Sequence, residues 1–175
     1  MAACLIPGSF DPFTIGHFRI AMAASQLFSN VVIGIARNPD KPESMFSLST
    51  RVKVIEASVA DINRGNIIVA TYDGATVSYC SENKIEYIVR GCRNGSEFDR
   101  ELINKCINDS LSHKAIQTII LPTDPTVSYV SSTLVRRCID QELDKWKSYV
   151  MKEAVPIIEN ALADKHTLNE LLWHL

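Results

Sequence analysis

The chain predicts an α/β fold: a doubly wound, five-stranded parallel sheet with helices on both faces and a C-terminal helical segment. Two observations carry this. Five short apolar, β-branched runs recur at 2–6, 31–36, 67–71, 87–89 and 118–121. Between them lie segments whose apolar residues return at intervals of three or four. Strands that alternate with helices imply parallel βαβ units and a sheet covered on both sides.

Each element has its own signal. The run Ala2–Ile6 is the first strand. It leads into GSFDPFTIGH, Gly8 to His17, where Gly8 permits a tight exit, Asp11-Pro12 makes a turn and Thr14 suits the N-cap of a helix. Phe18, Met22 and Phe28 fall on one face of that helix. Val31–Ala36 is the second strand, followed by NPDKP with Lys41, and Leu48, Val52, Ile55 and Val59 mark the second helix. Ile67–Thr71 is the third strand, and Asn83–Glu86 leads into the fourth at Tyr87–Val89. Phe98, Leu102, Ile103 and Ile107 mark a helix before the fifth strand, Thr118–Leu121. Pro122–Pro125 reads as a loop and Ser131–Glu142 as a further helix. Leu143–Ala163 is charged and amphipathic, with Pro156 at a helix start, and 164–175 reads as a short terminal helix. At 175 residues a single domain suffices, 1–163, with 164–175 as its extension. The arrangement is Rossmann-like, and in such sheets ligands bind beyond the carboxyl ends of the strands.

Composition excludes several classes. A formal charge of −2 gives no general attraction to nucleic acid or to an anionic membrane. No run approaches the ~20 apolar residues of a membrane span. Five scattered cysteines, odd in number and without a CxxC, argue against a disulfide framework and against a zinc site. The expectation is a cytoplasmic protein with no nucleic-acid partner, no membrane partner and no protein-bound metal.

Two common phosphate devices, GxxxxGK[ST] and GxGxxG, are missing from the first strand–helix junction. GSFDPFTIGH stands there instead. Gly16 leaves room for a ligand, and His17 sits beside free N–H groups at a helix start, which carry about half a positive charge. The same residues also suit a capped helix with His17 packed on its own loop, and spacing alone leaves both open. Arg90-Gly91-Cys92-Arg93 follows the fourth strand, where two guanidiniums suit bidentate anion contacts or a solvated loop. Lys41 follows the second strand. Val130-Ser131-Ser132-Thr133 follows the fifth, its hydroxyls suited to capping or to phosphate. A parallel sheet brings all four to one edge, and that convergence predicts a single polyanion site.

Taken in order, these pieces resemble the phosphopantetheine adenylyltransferase family. GSFDPFTIGH is similar to its GxFDPxTxGH motif, within nucleotidyltransferases that carry HxGH or TxGH. NPDKP and MF, VRGCR, FDRE and VSYVSSTLVRR follow, and the resemblance covers about Leu5 to Ala163. Thr14, where many relatives carry His, favours this branch over nicotinamide-mononucleotide adenylyltransferases. The resemblance implies that ATP and 4′-phosphopantetheine give dephospho-coenzyme A and pyrophosphate, with Mg2+, in the penultimate step of coenzyme A synthesis. It implies ATP contacts from Ser9 and Phe10, with Ser9 also touching the acceptor, and transition-state stabilisation by His17. Lys41 and Arg90 match residues that hold the acceptor phosphate, and Thr76 matches a position along the pantetheine arm. Gly91, Cys92, Arg93, Glu101 and the stretch Val127, Ser128, Tyr129, Val130, Ser131, Ser132, Thr133 match nucleotide contacts. The family commonly forms hexamers, so a homo-oligomer is implied.

The chain departs from the pattern at Arg100, where an aromatic residue is common. It also lacks the glycine and proline common near Leu143 and Met151, and its tail runs past the usual end. Two alternatives stand beside the main reading. One is an adenylyl- or cytidylyltransferase for another phosphate acceptor, such as nicotinamide mononucleotide. The other is a nucleotide-binding regulator without catalysis.

Overall fold

The computed structural model describes residues 2–37, 44–62 and 65–172, with 165–172 as backbone only. Five strands form one parallel sheet: β1 (Ala3–Gly8), β2 (Asn30–Arg37), β3 (Ile67–Asp73), β4 (Tyr87–Cys92) and β5 (Gln117–Pro122). Their order is β3-β2-β1-β4-β5, every neighbouring pair parallel. The connecting helices are α1 (Ile15–Leu27), α2 (Leu48–Val59), α3 (Thr76–Glu82) and α4 (Gly95–Leu111). Beyond the sheet lie α5 (Ser132–Asp140) and α6 (Val155–Leu172), with single 3-10 segments at Pro125–Val127, Asp144–Tyr149 and Lys152–Ala154.

The period-two alternation of each strand divides the core in two. Cys4, Ile6, Val31, Ile33, Ile35 and Val89 face one side, where Ile20 of α1, Ile55 of α2, Val135 of α5 and Ile158 of α6 close over them. Leu5, Val32 and Ile88 face the other side, covered by Val77 and Cys80 of α3 with Ile85 and Ile116. The sheet is therefore doubly wound. From β1 the chain steps outward to β2 and β3, then returns past β1 to β4 and β5. Connections leave β1 and β4 in opposite directions, so a crevice opens between their carboxyl ends, the switch point of this architecture. Among the described residues, no helix is long and apolar enough to cross a membrane.

Several details differ from the sequence expectation. Every strand begins within a residue of its apolar run and ends later. Arg90 lies inside β4 rather than after it, paired with Ile120, because Gly91 and Cys92 continue the ladder to Leu121 and Pro122. Intrinsic preference disfavours Gly in strands, and pairing overrides it here. Phe28 is not on the α1 face. It is the extended C-cap, its ring 5.4 Å from that of Tyr87. Helix α3 carries no periodic signal because it is short and buries only Val77 and Cys80. Residues 164–172 form no separate terminal helix, since α6 runs unbroken from Val155 to Leu172. The apolar stripe of α4 forms the expected helix but faces outward: Ile103 is 62% and Leu111 60% exposed, and Glu101 is the helix's buried residue.

Candidate active site

The crevice at the switch point is a cleft of about 380 Å³. Its floor is the loop between β1 and α1. A Cβ at Gly8 would lie 2.7 Å from Phe10 Cζ, so the glycine is what lets the Phe10 ring fold back over the strand end. Phe10 holds a left-handed backbone, φ 47°, and its ring meets that of His17 edge-on with centroids 5.1 Å apart. Phe13 flanks the same imidazole at 5.4 Å.

His17 is the third residue of α1, and Thr14 is the N-cap. The Thr14 backbone N–H donates to His17 Nδ1 at 3.0 Å, and Thr14 Oγ1 lies 3.1 Å from the same nitrogen. A backbone N–H can only donate, so Nδ1 accepts and the proton of the neutral ring sits on Nε2. Burial, then the charges of Arg93 and Arg90, lower the pKa to about 4. At neutral pH the cleft is therefore lined by an uncharged imidazole whose remaining function is to donate from Nε2. The capping reading of His17 holds, and it is compatible with the ligand reading. One nitrogen caps its own loop, and the other is left for a ligand.

Two Arg–Glu pairs span the gap from β4 to α4. Arg90 donates from Nε and Nη2 to the two oxygens of Glu101, each at 2.8 Å, and from Nη1 to the Pro7 carbonyl at 2.5 Å. Arg93 donates to both oxygens of Glu97, from Nε at 3.0 Å and from Nη2, and reaches the Val130 carbonyl at 3.4 Å. Burial alone would raise the Glu101 carboxyl, but hydrogen bonding and charge from Arg90 outweigh it and hold it below the ordinary range. Glu97 is held low by Arg93 in the same way. Both guanidiniums are thus fixed in direction before any anion arrives.

The third wall is the start of α5. Ser131 Oγ caps the helix by accepting from Leu134 N–H at 3.0 Å, and Ser132 Oγ donates to the Pro12 carbonyl at 2.8 Å. Arg136 donates to the Asp11 carbonyl at 2.6 Å and to Thr133 Oγ1 at 3.3 Å.

Of the residues singled out in the sequence, Ser9, Phe10, His17, Arg90, Gly91, Arg93, Glu101, Val130, Ser131, Ser132 and Thr133 line this one cleft. Others lie off its lining. Thr76 bonds the Tyr72 hydroxyl at 3.0 Å, and the Cys92 thiol donates to the Asn94 carbonyl at 3.1 Å. Val127 is buried in the core, Ser128 Oγ donates to the Pro125 carbonyl, and exposed Tyr129 meets Tyr149 edge-on. Lys41 lies outside the described residues. Sequence reasoning gave no role to Glu97, Arg100 or Arg136, which also line the cleft. Only Glu97 had a local signal, its spacing of four from Arg93.

The donor set does not suit a resident metal. Among the described residues, the carboxylates lining the cleft are Glu97 and Glu101, each already gripped by an arginine, and no cluster of three metal-ligating side chains occurs.

Gly16 gives a sharp test of where a ligand sits. A Cβ there would meet no protein atom closer than 3.6 Å, so the fold itself does not require glycine. Gly16→Ala is expected to leave the melting temperature unchanged or higher, since alanine favours a helix by up to about 1 kcal/mol. It is expected to weaken ATP binding by about tenfold, roughly 1.4 kcal/mol. Calorimetry on one sample reads both, and unchanged ATP affinity would place the nucleotide elsewhere.

A switch-point cleft with a TxGH helix start and an arginine clamp defines a nucleotidyltransferase, and residues 5–138 match the Cytidylyltransferase-like family model. The chain is 35% identical over 170 residues to the phosphopantetheine adenylyltransferase of Coprothermobacter proteolyticus, covering 94% of this chain and 97% of that one. It is 34% identical to the enzyme of that name from Streptomyces coelicolor, covering 94% and 98%. The chain belongs to the phosphopantetheine adenylyltransferase family. Among solved structures, Plasmodium falciparum nicotinic acid mononucleotide adenylyltransferase in complex with NaAD superposes with a TM-score of 0.68 at 15% identity, covering 91% of this chain and 95% of that one. At that identity the likeness speaks to the fold alone.

Proposed function

We propose that this chain transfers the adenylyl group of ATP to 4′-phosphopantetheine, giving dephospho-coenzyme A and pyrophosphate. The observation that carries the reading is the meeting of His17, Arg90 and Arg93 in one cleft, in a chain related over most of its length to phosphopantetheine adenylyltransferases. The acceptor phosphate is already a nucleophile. Its oxygen forms a bond to the α-phosphorus of ATP as the bond to the bridging oxygen breaks, and pyrophosphate leaves with that electron pair. No covalent enzyme intermediate and no general base is needed.

Two polyanions must be held together, and the protein's part is positioning and charge. Arg90 and Lys41 hold the acceptor phosphate, and Arg93 faces the nucleotide. His17, neutral and with its proton on Nε2, donates to the α- and β-phosphate oxygens as negative charge moves there. Fixed donors of this kind act strongly because they need no reorganisation during the reaction. Mg2+ enters as the counter-ion of ATP, held by the phosphates, in keeping with the arginine-bound state of Glu97 and Glu101. The chain works in the cytoplasm, as a homo-oligomer of the hexameric kind. The outward apolar face of α4 supports self-association, and sedimentation of the intact chain tests it.

Lys41→Ala is expected to raise the KM for the acceptor at least tenfold while the KM for ATP changes little. Equal kinetics for both substrates would remove Lys41 from the clamp. Pyrophosphate release measured with ATP and a panel of acceptors tests the function itself. Turnover is expected with 4′-phosphopantetheine and not with nicotinamide mononucleotide. The reverse preference, or ATP binding without turnover on any acceptor, would refute it.

A further inference from the structure

The loop from Pro7 to Pro12 is tied from both sides, and the ties come from three arginines on three elements. Arg90 of β4 takes the Pro7 carbonyl and Arg136 of α5 takes the Asp11 carbonyl, both on the side of the Arg–Glu clamp. Arg51 of α2 takes the Ser9 carbonyl at 2.8 Å from the opposite side. That carbonyl is the guanidinium's one hydrogen-bond partner among the described residues, and Arg51 Nε is buried without one. The tie is reciprocal. Asp11, 6% exposed, accepts from the backbone N–H of Phe46 and of Met45, each at 2.9 Å. These two residues enter α2, whose N-cap Ser47 follows directly. Three bonds therefore join residues 9–11 to residues 45–51 across β2, which neighbours β1 on the side away from β4.

From this geometry we infer that Arg51 is a positioning residue for the reaction, setting, together with Asp11, the distance between the α2 side of the cleft and the nucleotide side. The inference rests on the function proposed above. Ser9 lines the cleft, and Arg51 does not. It acts through the Ser9 carbonyl, by holding the loop in register with the chain that enters α2. In-line displacement requires the two reactants at near-attack separation, and a misplacement of about 1 Å costs about 10²-fold. Loss of the Arg51 tie releases the loop at Ser9 on the α2 side, where only the two Asp11 bonds remain, while Arg90, Arg136 and Ser132 still hold the other side. Arg93 and the start of α5, which face the nucleotide, do not depend on this tie, whereas the loop at Ser9 shifts relative to the chain entering α2 and the acceptor loses its register.

The test is Arg51→Ala with Arg51→Lys beside it, scored for kcat, both KM values, ATP affinity without acceptor, and melting temperature. Arg51→Ala is expected to lower kcat/KM for 4′-phosphopantetheine by about 10- to 100-fold while ATP affinity stays within about twofold. Arg51→Lys keeps a donor of similar reach and is expected to recover most of the loss. Asp11→Asn sets an amide against two N–H donors and should show the same acceptor-selective loss, which carries the test if Arg51→Ala does not fold. The inference is overturned if Arg51→Ala is kinetically unchanged. It is also overturned if ATP affinity falls in parallel, or if kcat alone falls in step with the unfolded fraction. An inactive wild-type chain would bring down the proposed function and this inference together, whereas an active wild type with an unaffected Arg51→Ala brings down this inference alone.

Discussion

His17→Ala is expected to lower kcat by about 10²–10³-fold while ATP affinity changes by no more than a few-fold. The asymmetry follows from where the donor works. In the proposed mechanism ground-state binding is shared among the arginines and the α5 start, whereas the Nε2 proton counts most as charge builds on the leaving phosphates. The substitution also strands the Thr14 N–H that had donated to Nδ1, costing about 1 kcal/mol or more, so the variant should fold with a somewhat lower midpoint. The same imidazole makes a pH prediction. In the unfolded chain it takes up a proton as the pH falls below about 6.5. In the folded protein it stays neutral to about 4, because burial and then Arg93 and Arg90 oppose its charge. Between those values the unfolded state binds more protons, so stability falls as pH falls through that window. The loss should amount to roughly 2–3 kcal/mol by pH 4 from this group. Urea unfolding of wild type and His17→Ala from pH 7.5 to 4 reads it as a difference that shrinks on acidification and then moves in favour of the variant. A constant difference, or near-normal turnover in His17→Ala, would remove the histidine from its assigned role.

Arg90→Ala should be the more damaging to the molecule as a whole. It removes the guanidinium proposed to hold the acceptor phosphate, unpairs the Pro7 carbonyl and leaves the Glu101 carboxylate, whose side chain is 9% exposed, without its charged partner. Stability should drop by about 2–3 kcal/mol, because the stranded charge rather than the lost attraction dominates. kcat/KM for the acceptor should fall about 10³-fold. Arg90→Lys should rescue little, since an ammonium cannot grip both Glu101 oxygens and Pro7 at once. Arg90→Ala combined with Glu101→Ala should recover stability relative to Arg90→Ala alone and recover no activity. If the double variant is as unstable as the single one, the pair is not the clamp described here.

Strand positions were legible because β-branched runs are local and the α/β alternation is regular. Convergence of the site was legible for the same reason, as parallel strands deliver their carboxyl ends to one edge. Strand ends were not: β4 continues through Gly91 because β5 supplies the hydrogen bonds, which no local preference reports. Periodicity found α4 but not its orientation, since an apolar stripe says that a face avoids water and not what covers it. Glu101 was singled out as a nucleotide contact, and the structure makes it the bidentate partner of Arg90. That pairing spans 11 residues and depends on how α4 leans over β4. The ties from Arg51 and Arg136 to the loop carbonyls span 42 and 125 residues, and backbone carbonyls leave no mark on side-chain spacing.

The most direct measurement is mass spectrometry of the products after mixing the chain with ATP, Mg2+ and 4′-phosphopantetheine. The account predicts dephospho-coenzyme A and pyrophosphate in equal amounts, lost together in His17→Ala. Bound ATP with no adenylylated pantetheine formed, or an adenylyl group recovered on the protein, would contradict it.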